Sequence, residues 1–118
     1  MKYTLLFMFF LTSVILTKAQ SVSDLPAGNY ETKTKVAQNK WEKGDIIIID
    51  ETHYRLSSSA DVGDYKFSVA AQRIFFTSGP LKSAFTKVGL AKGKPVIILP
   101  QEENGSLGLT TEIWASKQ

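Results

Sequence analysis

The clearest alternation of apolar and polar residues runs through residues 63–81. From 64 to 69 every second side chain is apolar, which is typical of a strand with one buried face and one face in water. The alternation resumes at Ile74 after a four-residue connection and ends at Gly79-Pro80, because proline cannot donate to a strand ladder. The pattern therefore predicts an antiparallel hairpin. Its apolar positions are Tyr65, Phe67, Val69, Ile74 and Phe76.

Further segments carry strand patterns and are separated by turn-rich stretches. They are residues 28–35, 45–50, 53–56, 95–99 and 107–114. We predict an all-β fold, a single antiparallel meander of about seven strands curled into a small barrel or half-barrel. The four isoleucines at 46–49 cannot all face one side of a pleat, so either both faces of this strand are covered, which implies a central strand, or half of the isoleucines are exposed. Asp45 and Asp50 are interpreted as charges that keep the tract from pairing with other chains.

Residues 79–94 do not read as a strand. Leu81, Ala84, Phe85 and Val88 have helical spacing, so the segment is predicted to be a short helix or a packed loop over one end of the barrel. In either form Leu81 and Phe85 are expected to be buried. Trp41, between two turn-rich stretches, is interpreted as a lid over the core rather than as a stacking platform.

The N-terminus has the pattern of a signal peptide. Lys2 precedes an apolar run from Leu5 to Leu16, and small side chains occupy the positions before Gln20 that a signal peptidase reads. The run is about a dozen residues, shorter than the ~20 of a membrane-spanning helix. We predict a signal peptide at 1–19, an N-terminal tether at 20–27 and a single β domain at 28–116. The protein is then secreted or periplasmic, with no membrane span after cleavage.

Composition narrows the function further. The chain has no cysteine, which excludes a lipoprotein, a disulfide scaffold and a thiol enzyme. Removal of Lys2 and Lys18 with the leader leaves 12 basic against 11 acidic side chains, a net charge of +1. The basic residues are interleaved with acids or spread along loops, so no nucleic-acid role is predicted.

Candidate chemistry is sparse. The single histidine, His53, lies beside Asp50 and Glu51, but the three lack the ligand spacing of a recognised metal site. Asn104-Gly105-Ser106 satisfies a glycosylation sequon, yet Asn-Gly is also a common turn signal, and we predict a turn. No motif supplies a catalytic triad, and the glutamates lie on turns and outward faces. No enzyme activity, cofactor or metal is predicted.

One pattern resembles a known type of protein. The chain has Gly63-Asp64-Tyr65, then eight further residues, then the segment 74–81. This arrangement resembles small, uncharacterised exported β-domains, in which Gly-x-Tyr is followed by Ile-x-Phe-x-Ser-Gly-Pro-Leu. Gly28-x-Tyr30 is similar to the Gly-x-Trp of the first lipocalin strand. Tyrosine stands in place of the tryptophan, and the chain is short of a full eight-stranded lipocalin. The resemblance implies an exported β-barrel and carries no assigned activity.

Three functions of different kinds follow. The first is a non-catalytic binding or interaction domain with a filled core, whose surface binds an unknown protein or the cell envelope. The alternative is a lipocalin-like carrier of a small apolar ligand, and a small extracytoplasmic hydrolase is a third. Since large aromatic side chains fill a small barrel, we favour the filled core. A ligand, if present, would meet an apolar wall formed by Tyr54, Tyr65, Phe67, Phe76 and Phe85.

Overall fold

The computed structural model of the protein describes residues 22–109 and 111–118. The predicted signal peptide at 1–19 lies outside this part of the chain. Eight strands and one 3-10 helix follow in order. The strands are β1 Gly28–Thr34, β2 Ile46–Ile48, β3 His53–Leu56, β4 Val62–Ser68, β5 Arg73–Phe76, β6 Lys87–Ala91, β7 Lys94–Leu99 and β8 Ile113–Lys117, and the 3-10 helix is Glu102–Leu107.

The strands form one antiparallel sheet in the order β5-β4-β3-β2-β1-β8-β7-β6. Each strand therefore lies beside its neighbours in sequence, and β1 pairs with β8 from Tyr30 opposite Lys117 to Thr34 opposite Ile113. The sheet curls into a nearly closed barrel, which confirms the predicted all-β meander. It has eight strands rather than about seven, because residues 87–91 form a strand inside the segment predicted as a helix or packed loop.

The barrel closes between β5 and β6, where a side chain takes the place of part of the strand ladder. The backbone N–H of Val88 donates to the carbonyl of Gln72 at 2.8 Å. Two residues earlier, the Thr86 hydroxyl accepts from the N–H of Ile74 at 2.8 Å and donates to its carbonyl at 2.7 Å. The edge groups of β5 are thereby satisfied, which leaves no open strand edge at this position.

The helical face predicted within 79–94 does not form. Residues 77–86 make a loop of turns, in which Gly79 and Ser83 take left-handed backbone angles that interrupt a helix. Leu81, Ala84 and Val88 are buried as expected. Phe85 is only half-buried, because residues 85 and 87 alternate with the buried 86 and 88 and so lie on the outer side.

The last strand also starts later than the alternation at 107–114 predicts. Residues 102–107 are a 3-10 helix, and β8 begins at Ile113. The predicted Asn-Gly hairpin turn is wrong because Asn104 is buried, with 1% of its surface exposed. Its side-chain amide accepts from the N–H of Phe85 at 2.7 Å and donates to the carbonyls of Phe85 and Pro100. These bonds join the two long connections over one end of the barrel.

The isoleucine tract lies between β1 and β3 in the sheet. Ile46 and Ile48 are fully buried, whereas Ile49 is 42% exposed. Of the two predicted alternatives, the half-exposed tract is therefore the one that forms, because a single-layered barrel has one interior face and leaves the other in solvent. Asp45 is buried rather than a surface charge. Its carboxylate binds Lys40 at 3.0 Å and accepts the backbone N–H of Thr32 at 3.2 Å.

The two ends of the barrel are covered differently. The long connections at 35–45, 57–61, 77–86 and 100–112 lie at one end, where Trp41 is buried as the predicted lid. At the other end the described part of the predicted tether, residues 22–27, packs against the core through Val22 and Leu25, and we call it the N-terminal strap. Gln72 holds Val22 by accepting its N–H at 2.9 Å and donating to its carbonyl at 2.8 Å. No helix in the described residues has the length and apolarity to cross a membrane.

Candidate functional site

Four of the five predicted wall residues lie at the barrel core. Tyr54, Tyr65 and Phe76 are buried members of the core, and Phe67 is half-buried and packs against it. The rings of Tyr54 and Phe76 are 4.6 Å apart between centroids and tilted by 54°. Phe85 lies outside the barrel on Arg73, so it does not share a wall with the other four.

The tyrosine hydroxyls in the core are hydrogen-bonded to the protein's own backbone. Tyr54 donates to the Ser78 carbonyl at 2.8 Å and accepts the N–H of Leu81 at 2.8 Å. Tyr65 donates to Asp50 O at 2.7 Å, and burial together with the charges of Asp50 and Glu51 raises the pKa of Tyr65 to about 12. Buried polar groups with such partners stabilise one arrangement of the core. These hydroxyls already bind the backbone, so they do not serve as hydrogen-bonding groups for a ligand.

The motif that carries the family resemblance has a structural explanation. Gly63 and Gly79 pack against each other beside the Tyr54 hydroxyl, and Gly79 has a φ of +85°. A Cβ at Gly79 would lie 2.6 Å from the Gly63 Cα and 2.9 Å from the Tyr54 oxygen. Glycine is thus needed at both positions for close approach. The pattern around residues 63–81 therefore closes the barrel end and does not by itself make a ligand site.

A small groove lies beside the N-terminal strap. It has a volume of about 200 Å³. Its lining residues are Ser23, Asp24, Leu25, Glu51, Tyr65 and Phe67. Two of the predicted wall residues, Tyr65 and Phe67, thus border a concavity that the strap partly covers.

A larger groove of about 460 Å³ lies on the outer face of β1 and β8. We call it the Trp114 groove. Its lining residues are Glu31, Lys33, Thr34, Lys35, Gln38, Trp114 and Ser116. Trp114 and Ser116 alternate with the buried Ile113 and Ala115, which places them on the outer face of β8. The register sets Trp114 opposite Lys33 of β1, so an aromatic ring lies among charged and polar side chains.

Polar contacts hold the tryptophan in this groove. Its Nε1–H donates to Glu112 Oε1 at 2.6 Å. Lys35 Nζ lies 3.6 Å from the same carboxylate oxygen and 5.8 Å from the centroid of the indole ring. The indole N–H and the carboxylate are therefore paired, while the ring and the lysine remain available at the surface.

Sequence reasoning weighed Trp41 as a platform and passed over Trp114. A signal for Trp114 was present, because the alternation at 107–114 already put it on the polar face of the last strand. A tryptophan on a polar face is unusual for a residue that only packs in a core. The neighbouring β1 side chains of the groove could not be assigned without the β1–β8 pairing, since the two strands are far apart in sequence.

His53 contacts two carboxylates and does not belong to a cluster of metal ligands. Its Nδ1 lies 2.9 Å from Asp50 Oδ1, and its Nε2 lies 3.5 Å from Asp64 Oδ1. Hydrogen bonds from the backbone N–H of Thr52 and from the His53 ring lower the pKa of Asp50. Within residues 22–109 and 111–118, no three histidine or acidic side chains converge as metal ligands would.

No protein-family model, curated protein or solved structure matches the chain. The resemblance to exported β-domains and to lipocalins therefore stays a prediction from the sequence. What the structure establishes is the class of fold, an all-antiparallel eight-stranded barrel with its strands in sequence order.

Proposed function

We propose that the protein is an exported, non-catalytic interaction domain that binds a protein partner through the Trp114 groove. The observation that carries this proposal is a tryptophan ring on the outer, polar face of β8, within a groove of about 460 Å³. Aromatic anchors surrounded by polar residues dominate the binding energy of many protein interfaces. The export part of the proposal rests on the signal-peptide pattern at 1–19.

The chemistry of the groove suits a peptide segment with both charges and backbone amides. Lys33 and Glu31 are 3.9 Å apart on β1, and Lys35 Nζ lies 5.8 Å from the centroid of the indole ring. These exposed pairs contribute little to stability, so they are free to exchange partners with a bound chain. Gln38 and Ser116 add groups that can both donate and accept hydrogen bonds.

The filled interior favours the outer surface over the barrel core as the site. Tyr30, Tyr54 and Ile97 are fully buried in one continuous cluster, and the Tyr30 hydroxyl donates to the Pro26 carbonyl at 2.7 Å. An interior ligand would have to displace these side chains and break their hydrogen bonds.

The test is retention of a partner by the immobilised protein and by two variants. Trp114→Ser removes the aromatic anchor, and Ile49→Ser removes an exposed apolar side chain outside the groove. We expect a partner from the exported fraction to bind the wild type and Ile49→Ser with equal affinity. Its affinity for Trp114→Ser should fall at least tenfold, the usual effect of losing an interface anchor worth about 2 kcal/mol. Equal binding by both variants would contradict the proposal.

A second candidate, the carrier of a small apolar ligand, is favoured by the groove beside the N-terminal strap. That groove is bordered by Tyr65 and Phe67, and Gln72 holds the strap over it through Val22. Displacement of the strap would expose more of this apolar surface to a ligand.

A hydrophobic fluorescent probe separates the carrier from the interaction domain. Gln72→Ala removes both bonds to Val22, so a carrier should bind more probe in this variant than in the wild type, and added fatty acid should displace it. Gln101→Ala, which replaces an exposed glutamine outside both the strap and the Trp114 groove, is the matched control. If neither the wild type nor Gln72→Ala binds the probe, the carrier function is excluded. The proposal that a protein partner binds the Trp114 groove would not be affected by that result.

A further inference from the structure

Arg73 is held rigidly on the outer face of the barrel. The Cζ of its guanidinium lies 4.6 Å from the centroid of the Phe75 ring and 3.9 Å from that of Phe85. Its Nε donates to the carbonyl of Thr86 at 3.1 Å. Two aromatic rings and one hydrogen bond therefore fix the position of the guanidinium before anything binds to it.

The free end of this guanidinium is open to a ligand. Among the described residues, no oxygen accepts a hydrogen bond from either terminal nitrogen of Arg73, and no polar side-chain atom is both buried and unpaired. The two Nη groups therefore face solvent. A planar fork of donors with a fixed orientation matches the two oxygens of a phosphate or carboxylate.

Two lysines add positive charge around Arg73. Lys66 is exposed on β4 directly opposite Phe75, and Lys87 is exposed on β6 next to Thr86. In the part of the chain that the structure describes, no carboxylate oxygen lies within 4.0 Å of Lys66, Lys87 or Arg73. Within the described residues these cations therefore form no ion pair, unlike the paired lysines of the Trp114 groove.

The same β4–β5 hairpin, residues 62–76, carries exposed apolar side chains. The exposed large hydrophobic residues of the described chain are Val36, Ile49, Val62, Val69 and Phe75, and three of these five lie in the hairpin. Of these three, Phe75 adjoins the cationic side chains directly, because its ring lies under the Arg73 guanidinium. Because the outer face of a barrel is convex, it fits a flat surface better than a small ligand.

We propose that the β4–β5 hairpin docks the protein on an anionic phospholipid surface, with Arg73 binding a headgroup phosphate and Phe75 contacting the apolar region below it. Lys66 and Lys87 contribute attraction to neighbouring headgroups. This surface is separate from the Trp114 groove and does not depend on it.

The test is vesicle co-sedimentation of the protein purified in the form in which the cell exports it. Vesicles of equal parts phosphatidylglycerol and phosphatidylcholine are compared with vesicles of phosphatidylcholine alone. The variants are Arg73→Gln, Arg73→Lys and Phe75→Ser. The matched control is Arg55→Lys, because one terminal nitrogen of Arg55 already donates to the carbonyls of Leu56 and Ser59. Thermal unfolding of each variant verifies that it is folded.

We expect binding to the anionic vesicles only, weakened by salt. Arg73→Gln should reduce the partition coefficient roughly fivefold, the effect of one basic residue at a charged surface. Arg73→Lys should reduce it by less, about twofold, because lysine keeps the charge but loses the stacked fork. Phe75→Ser should also weaken binding, and Arg55→Lys should not.

Three results would overturn the proposal. The first is equal binding to both vesicles or to neither, and the second is an Arg73→Lys variant that binds like the wild type. The third is binding of inorganic phosphate or of a single-stranded oligonucleotide at Arg73 without binding to anionic vesicles. That result would mean that Arg73 binds a free phosphate or a nucleic acid rather than a phospholipid headgroup.

Discussion

Replacement of Asn104 tests whether one buried amide holds the two long connections together. Asn104→Ala removes the partner of three backbone groups, the N–H and carbonyl of Phe85 and the carbonyl of Pro100. Each unpaired buried group costs roughly 1–3 kcal/mol, and because Phe85 and Pro100 are only half-buried we take the lower value. The free energy of unfolding should therefore fall by about 3 kcal/mol, a large part of the ~5–15 kcal/mol of a typical domain.

Asn104→Asp separates hydrogen bonding from simple loss of volume. The new carboxylate has almost the same shape and still accepts the N–H of Phe85, but it faces two carbonyl oxygens to which the amide had donated. Its charged form is disfavoured there, so its pKa in the folded protein should lie above that of an exposed aspartate. The folded state then binds more protons than the unfolded state, and the variant should become more stable as the pH falls from 7 toward 5.

Urea unfolding of both variants at pH 7 and pH 5 measures these effects. Asn39→Ala is the control, since Asn39 is exposed and its replacement should change the free energy of unfolding by less than about 0.5 kcal/mol. The reasoning is refuted if Asn104→Ala costs less than about 1 kcal/mol and Asn104→Asp shows no dependence on pH.

Three further predictions, on four variants, test the packing of the barrel ends. Tyr54→Phe loses two buried hydrogen bonds and should lower the urea-derived free energy of unfolding by about 2 kcal/mol; no change would mean that water replaces the hydroxyl. Gly79→Ala and Gly93→Ala both place alanine at a left-handed φ, +85° and +80°, but only the first meets atoms within 4 Å. Gly93→Ala should cost about 1 kcal/mol and Gly79→Ala about 1–3 kcal/mol more, so equal melting temperatures would contradict the close packing. Burial by itself would raise the pKa of Asp45, but hydrogen bonds, led by that from Lys40, outweigh it and lower the pKa. The stability from Asp45 is then present above about pH 4 and lost at lower pH, and Asp45→Asn should show a smaller acid-side loss in urea unfolding.

The sequence alone determined the elements that depend on local alternation. Tyr65 and Ile74 are buried on the interior face because period-two patterning reports directly which side chains of a strand can meet a core. The β4–β5 hairpin and the all-β meander followed from the same signal, whereas the alternation at 107–114 overlaps β8 only at residues 113 and 114.

Tertiary structure decided the features that depend on contacts between distant segments. The additional strand, β6 at 87–91, is short and contains glycine, and it forms because β7 pairs with it on one side and the Gln72 carbonyl accepts the N–H of Val88 on the other. Asn104 reads locally as a turn residue, yet its partners lie in another loop.

Both candidate surfaces also arise from pairing across the barrel. The Trp114 groove needs β1 beside β8, and the Arg73 stack needs Phe85 beside β5. Local patterning specifies which face a residue occupies, whereas the neighbours that give it a function are set by strand order and register, which no single segment encodes.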